Sequence, residues 1–438
     1  MSVSTPTKNF YDVMAERGLV AQCTDSEDGI RKRLSTPITA YCGFDPTADS
    51  LHVGSLVPIM GLAHAQRCGH RPLVVVGGAT GMVGDPSGKS EARNMLDEQT
   101  LRHNAEAIAK QIGKFLRFAN DNTPSGDDPA AAVMLNNYDW IGPLTWLEVL
   151  RDIGSKMSVN RMMSMESVKQ RMTSGSGDGQ GISYLEFSYM VLQAYDFAHL
   201  FEHHGCTLQI GGQDQWGNIV MGIELGRKLH APGKCELAGL TFPLVTKADG
   251  GKFGKSEAGN VWLDAERTSP FEFYQFWRNV ADADVGRYLG YFTFLPMDEV
   301  NELASAEGQA INESKIRLAY EITRLVHGEE EADKARDAAT KAFASGGAGG
   351  VDVTGESIPS TTLEASELAE GIGLIELVVR AGFESSNGKA RKLIQGGGVR
   401  VHDAKVADFG HTVTTADAPD GYVLLRAGKK RLFRFDLA

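Results

Sequence analysis

Residues 72–76 read PLVVV, an unbroken apolar run of the kind that forms a strand buried on both faces. Just before it, ITAYCGF (38–44) is rich in strand formers and DPTADS makes a turn. An apolar-periodic stretch then runs from Leu51 to Cys68 and stops at Gly69. Strand, helix and strand at this spacing make a βαβ unit. AVMLN (132–136) and CTLQI (206–210) repeat the strand signal beside further helical stretches. Residues 1–245 are therefore expected to form an α/β unit, an open parallel sheet with helices on both faces. Ligands of such sheets bind at the carboxyl ends of the strands.

The remainder is organised differently. Residues 140–180 are helical in pattern and rich in methionine (Met157, Met162, Met163, Met165, Met172). They read either as core-facing connecting helices or as a self-association surface, because methionine adapts to irregular contacts. Residues 263–343 carry helical periodicity, many charges and no strand signal, which predicts a helical domain. ASGGAGG (344–350) and the polar residues up to 365 read as a linker. A small domain of short helices and strands is expected over 366–438. Several domains also suit 438 residues, too many for one core.

Composition narrows the function. No apolar run approaches the roughly 18 residues needed to span a bilayer, and the N-terminus has no signal- or transit-peptide pattern. A cytoplasmic protein without a membrane partner is expected. Cys23, Cys42, Cys68, Cys206 and Cys235 are odd in number and form no CxxC pair, which fits a reducing compartment better than disulfides or zinc. The net charge of −12 argues against a nucleic-acid coat. From Leu377 onward, however, 11 Lys/Arg face 6 Asp/Glu. A basic tail on an acidic body suggests that one end meets a phosphate backbone.

Two familiar nucleotide signatures fail. GGATGMVGDPSGKS (77–90) ends like a phosphate loop but has Val83 where glycine is needed, and GKFGKS (251–256) would need glycine where Asp249 stands. GxGxxG is absent as well, since Ala79 and Thr80 follow Gly78. What remains is His52-Val53-Gly54-Ser55, opening the first helix after the first strand. Unsatisfied N–H groups and the helix dipole favour an anion there. A histidine in that turn can donate to phosphate, and Gly54 lets a flat base lie against the backbone. Far downstream, Lys252-Phe253-Gly254-Lys255-Ser256 lies in a glycine-rich segment. Two lysines there suit a pyrophosphate whose charge grows as a bond breaks. Tyr189, Gln193 and Asp196, spaced i, i+4, i+7, share one face of an otherwise apolar helix, and polar groups on a buried helix need partners.

In this order, HVGS resembles the HIGH motif and KFGKS the KMSKS motif of class I aminoacyl-tRNA synthetases. YCGFDPTADSLHVGS, GGATGMVGDPSGKS, YMVLQAYDF and LQIGGQDQWGN extend the resemblance to the bacterial-type tyrosyl-tRNA synthetases over nearly the whole chain. One departure is Ser55 at the last HIGH position, which can hydrogen-bond but carries no charge.

The resemblance implies a Rossmann-like, doubly wound catalytic domain (1–245) with a dimer-forming helical insertion over about 130–180. It implies a KMSKS-type loop (246–262), then the helical domain on the anticodon side, and a homodimer. The substrates would be L-tyrosine, ATP and tRNA(Tyr), with Mg²⁺ carried by the phosphates and no prosthetic group or protein-held metal. Asp196 and Tyr41 would bind the phenol hydroxyl. Tyr189, Gln193 and Asp85 would hold the α-ammonium, with Gln209 beside the amino acid. Cys42, Gly211 and Asp214 would meet the ATP ribose and Gln215 the α-phosphate, with Gly43, Asp45 and Gly54 near the nucleotide. Thr47 and His52 would grip the γ-phosphate, and Lys89, Arg93, Lys252 and Lys255 the leaving pyrophosphate.

The tail SNGKARKLIQGGGVRVHDAKV resembles the RNA-binding fold of the small-subunit ribosomal protein S-four type. Lys389, Arg391, Lys392 and Arg400 would be its phosphate contacts, and His402 stands where that family usually has asparagine. Two alternatives stay open: a ligase for another aromatic amino acid, and an RNA-binding or splicing factor on a synthetase scaffold.

Overall fold

The computed structural model describes residues 8–86, 98–120, 128–166, 168–169, 172, 182–248, 250–251, 253–256, 259–344, 359–402, 404–428 and 431–438. They form two compact units, one of residues 1–253 with 281–306 and one of 254–280 with 307–438.

The first unit is built on a six-stranded sheet. Its strands are β1 (Gln22–Cys23), β2 (Thr39–Phe44), β3 (Arg71–Val76), β4 (Val133–Asn136), β5 (Cys206–Gly212) and β6 (Ala238–Phe242), in the order β1-β6-β5-β2-β3-β4. All neighbours are parallel except β1, a two-residue antiparallel edge on β6 that the sequence pattern did not announce. The apolar run of β3 is buried from Pro72 to Val76, as a central parallel strand requires. From β2 the chain steps outward to β3 and β4, then returns to the other side of β2 to form β5. The order therefore reverses between β2 and β5, where Tyr41 and Gln209 are register partners. A doubly wound sheet binds its ligand outside the strand ends at such a point.

The return runs through the 21-residue helix Tyr184–His204. Ser183 caps its start by accepting from the Glu186 N–H, while the Glu186 carboxylate accepts from the Ser183 N–H at 2.9 Å. Gly205, in the left-handed region at φ 61°, ends it. On the inner face of this helix Met190 is buried together with Met162, Met165, Met221, Ile153, Val168 and Leu225. Within the methionine-rich stretch Met162 and Met165 are core, as the first reading expects, whereas Met163 and Met172 are exposed.

The expected helical domain 263–343 is split between the units. Helices Pro270–Arg278, Ile311–His327 and Glu329–Ala344 pack together in the second unit, burying Phe273, Tyr274 and Trp277. Helices Asp282–Phe292 and Met297–Ala304 belong to the first unit. There the Arg17 guanidinium donates to the carbonyls of Gly290, Thr293 and Leu295 at 3.1, 2.9 and 2.7 Å. Helical periodicity states which face is buried but not against what, so the pattern could not draw that division.

The last part carries a five-stranded sheet of Ala404–Val406, Val399–Val401, Tyr422–Ala427, Arg431–Leu437 and Ser360–Leu363. Ser360–Leu363 falls inside the stretch read as linker, yet pairs in parallel with the last strand. Helices Leu374–Arg380 and Asn387–Gln395 enclose a separate core of Leu374, Leu377, Val378, Ile394, Val399, Leu425 and Phe435. Among the described residues no helix is long and apolar enough to cross a membrane.

Candidate active site

At the reversal point the sheet brings buried polar side chains together. Tyr41 on β2 is 1% exposed, and among the described residues its hydroxyl has no hydrogen-bond partner. The Gln209 Oε1 on β5 is in the same condition at 2% exposure. Buried polar atoms normally find partners, so two orphans side by side mark a place where a polar ligand completes the bonding.

Asp196 faces this place from the Tyr184–His204 helix. Its Oδ2 accepts from Asn137 Nδ2 at 3.0 Å and its Oδ1 from Trp140 Nε1 at 2.8 Å. Burial pushes its carboxyl up to about 7, against those two hydrogen bonds, which favour the ionised form. Burial and then the Asp196 charge in turn raise the Tyr41 phenol well above its ordinary value, so Tyr41 remains a neutral donor and acceptor. An oriented carboxylate beside an unpartnered phenol suits a ligand group that both donates and accepts, which is what a hydroxyl does.

A network leads away from Asp196. Asn137 Nδ2 also donates to Thr80 Oγ1 (3.0 Å), Thr80 Oγ1 donates to Asp45 Oδ1 (2.9 Å), and Tyr189 donates to Asp45 Oδ2 (3.2 Å). Gly77 is required here, because a Cβ would collide with Asp45 Oδ1 and Thr80 Oγ1. Burial raises the Tyr189 phenol, reinforced by the charges of Asp45, Asp85 and Asp196. Three carboxylates around one phenol make a field that favours a cation such as an ammonium group.

A second network sits at the end of β5. Gln215 Nε2 donates to Asp85 Oδ2 at 2.6 Å and to Asp214 Oδ2 at 3.3 Å. Asn218 Nδ2 bridges Gln215 Oε1 (3.2 Å) and Gln193 Oε1 (2.9 Å). Cys42 is buried, and burial followed by the Asp214 charge pushes its thiol up to about 12, so it stays protonated. Gly211, still within β5, lets Gln215 pack closely, since an added methyl would lie 3.3 Å from the Gln215 Cβ.

Thr47 and His52 are exposed after the end of β2. His52 caps the turn Val53–Ser55: its Nδ1 accepts from the Gly54 N–H at 3.0 Å, which places the proton of the neutral ring on Nε2. A Cβ on Gly54 would lie 2.7 Å from the His52 ring. Gly54 therefore makes room for the imidazole, in addition to the base-stacking role expected of it.

The structure thus brings together Tyr41, Cys42, Asp45, Asp85, Tyr189, Gln193, Asp196, Gln209, Gly211, Asp214 and Gln215. Asp45, expected near the nucleotide, is hydrogen-bonded to Tyr189, on the side expected to hold the ammonium. Lys89, Arg93 and Lys252 lie outside the described residues. Of Lys255 the backbone is described, in the strand Lys255–Ser256 paired with Gly259–Asn260. In the C-terminal sheet domain, Lys389, Arg391 and Lys392 are exposed on the helix Asn387–Gln395, and Arg400 lies on the strand Val399–Val401. His402 adopts φ 52°, a left-handed conformation that asparagine tolerates better than most residues, and its Nε2 lies 2.7 Å from the Asp417 carbonyl oxygen.

Sequence reasoning missed Asn137, Trp140, Thr80 and Asn218. Asn218 had a signal, a polar residue in the otherwise apolar run WGNIVMGI (216–223), three after Gln215. Asn137 follows the carboxyl end of β4, where ligand-site residues gather. Trp140 had none.

Comparison with known proteins identifies the family. The family described as tRNA synthetases class I (W and Y) matches residues 32–344, and a tyrosine–tRNA ligase C-terminal domain matches 351–435. A protein named tyrosine–tRNA ligase from Lachnoclostridium phytofermentans is 45% identical over 98% of this chain and 99% of its own. One of the same name from Rhizobium meliloti is 46% identical over 97% of both. The chain belongs to the tyrosyl-tRNA synthetases of class I. A C-terminally truncated mitochondrial tyrosyl-tRNA synthetase from Aspergillus nidulans superimposes with TM-score 0.67 at 32% identity, covering 77% of this chain and 94% of that one. An Archaeoglobus fulgidus tyrosyl-tRNA synthetase, 17% identical with TM-score 0.53 over 75% of this chain and 100% of that one, shares the fold. The tail match covers the C-terminal sheet domain with its own core.

Proposed function

We propose that this chain activates L-tyrosine with ATP to tyrosyl-adenylate and pyrophosphate, then transfers the tyrosyl group to the 3′ end of tRNA(Tyr). The observation that carries the substrate is the unpartnered Tyr41 hydroxyl beside an Asp196 carboxylate held by Asn137 and Trp140. The substrate hydroxyl donates to Asp196 and accepts from Tyr41. Asp85, Tyr189 and Gln193, with Asp45 behind Tyr189, receive the α-ammonium, and Gln209 lies along the amino acid.

In the first step an oxygen of the ionised tyrosine carboxylate attacks the α-phosphorus of ATP. The bond from that phosphorus to the β-bridging oxygen breaks, and pyrophosphate leaves. No general base is needed, so the protein's contribution is positioning and charge stabilisation. Cys42, Gly211 and Asp214 hold the ribose, Gln215 the α-phosphate, and Gly43 and Gly54 flank the nucleotide. Thr47 and His52, the latter through Nε2–H, meet the γ-phosphate. Lys89, Arg93, Lys252 and Lys255 neutralise the departing pyrophosphate, a role that rests on the family resemblance. Mg²⁺ arrives on the ATP phosphates. In the second step the terminal ribose hydroxyl of tRNA attacks the activated carbonyl and AMP leaves.

The C-terminal domain binds the tRNA through Lys389, Arg391, Lys392 and Arg400. The enzyme works as a homodimer in the cytoplasm, supported by exposed apolar residues between 146 and 185 and by five free cysteines. The test is ATP–pyrophosphate exchange. Exchange should depend on tyrosine and not on tryptophan, and exchange driven by tryptophan alone would overturn the substrate assignment.

A further inference from the structure

In the C-terminal domain, Phe409 lies in the loop that follows the strand Ala404–Val406 and is 39% exposed. The loop is pinned rather than loose: Asp408 Oδ1 accepts from the Gly410 N–H at 2.8 Å, and the Asp408 carbonyl accepts from the His411 N–H at 3.2 Å. Phe409 is not part of the core formed by Leu374, Val378, Ile394 and Leu425. Its ring instead meets the Arg391 guanidinium, whose central carbon is 4.8 Å from the ring centroid. Arg391 stands on the same basic helix as Lys389 and Lys392. One exposed aromatic is ordinary by itself. An aromatic presented from a braced loop, paired with a guanidinium in the most basic part of an acidic chain, is the combination that accepts a nucleobase. Bases stack on aromatic rings and on arginine planes, while neighbouring cations take the phosphates. Only an unpaired base can offer a free face.

We propose that Phe409, with Arg391, forms a stacking site for an unpaired base of the bound tRNA. Lys389, Lys392 and Arg400 supply phosphate contacts around it. The inference rests on the reading of this domain as RNA-binding and adds a contact that is not electrostatic, which makes the two separable by salt. Stacking transfers no charge and leaves the salt dependence of binding unchanged, whereas each lost phosphate contact lowers the slope of log K against log salt by about 0.7–0.9.

The experiment measures tRNA affinity of the full-length protein at several salt concentrations for wild type, Phe409→Leu, Phe409→Trp and Lys392→Gln. Because these substitutions lie in the C-terminal domain, thermal unfolding and resistance of that domain to limited proteolysis report whether each variant is folded. Phe409→Leu should weaken tRNA binding roughly 5- to 150-fold at unchanged salt slope, the range that base–aromatic stacking supplies. Phe409→Trp should bind about as wild type, and Lys392→Gln should lower the slope. Wild-type affinity in Phe409→Leu, with Lys392→Gln still impaired, overturns the stacking site alone. A lowered slope in Phe409→Leu also overturns it, because the ring would then act by placing Arg391. Wild-type binding in both Phe409→Leu and Lys392→Gln overturns the RNA-binding reading itself.

Discussion

Asp196 already accepts two hydrogen bonds before any substrate arrives, and burial holds its carboxyl up to about 7. Its ordinary value is 3.8, so between the two values the folded chain binds more protons than the unfolded one. The stabilising effect of protonation is complete below about 4 and is lost as pH rises through about 7. Asp196→Asn does not titrate. Its stability relative to wild type should therefore climb from pH 4 to pH 7 and level off above, as read from denaturant midpoints. A difference that is flat over this range would contradict the buried charge. Binding has the opposite sign, because the tyrosine hydroxyl donates to the ionised form. Tyrosine affinity should fall as pH drops below 7 in wild type, and lose that dependence in Asp196→Asn. At this scale the sequence was partly legible. The i, i+4, i+7 spacing pointed to Tyr189, Gln193 and Asp196, since helical geometry is local. Asn137 and Trp140 escaped because their value depends on which strand end lies opposite Asp196, a long-range fact.

At the scale of elements, the segment between β4 and the Tyr184–His204 helix divides into an inner and an outer set. Met162, Met165 and Ile153 support the helix from beneath, whereas Trp146 and Leu147 are 57% and 74% exposed. Val159, Met163, Tyr184 and Leu185 are exposed too, and the rings of Trp146 and Tyr184 lie 6.0 Å apart. Exposed apolar surface concentrated in one segment suits a subunit interface. A stable dimer of this type buries on the order of 2,000 Å². Leu147→Asp places a charge in that contact. Sedimentation equilibrium at micromolar concentration should return a dimer for wild type and a 47.3 kDa species for the variant. Wild type sedimenting as the monomer would refute the dimer. Binary pattern had shown this segment to be methionine-rich, but it could not say which methionines face inward. The strand Ser360–Leu363 was hidden for a related reason, since its partner is the last strand of the chain.

For the whole molecule, the residues assigned to activation precede the linker and the basic excess follows it. The C-terminal sheet domain has its own core, so it can be removed without opening the other. Deleting residues after Gly349 should leave tyrosine-dependent pyrophosphate exchange near the wild-type rate and reduce tRNA charging severely. Normal charging by the truncated chain would show that the tail is not the RNA clamp. The fold class was legible because strands buried on both faces have a composition of their own. The assignment of residues 281–306 to the first unit was not, because helix amphipathicity carries no address.

The central claim is that this site reads a phenol hydroxyl. A pocket built around such a hydroxyl leaves its own polar groups unpaired when phenylalanine enters, and tyrosyl-tRNA synthetases are themselves the standing example of rejection near 10⁵ on this basis. A hydrogen bond to a charged partner is worth about 1.5–3 kcal/mol against about 0.5–1.5 for a neutral one. Asp196→Ala should therefore shrink the preference far more than Tyr41→Phe. The measurement is the ratio of kcat/KM for tyrosine over phenylalanine in pyrophosphate exchange, for wild type and both variants. The expected result is a modest fall in the ratio for Tyr41→Phe and a fall of at least about tenfold for Asp196→Ala. An unchanged ratio in Asp196→Ala would contradict the account at its centre.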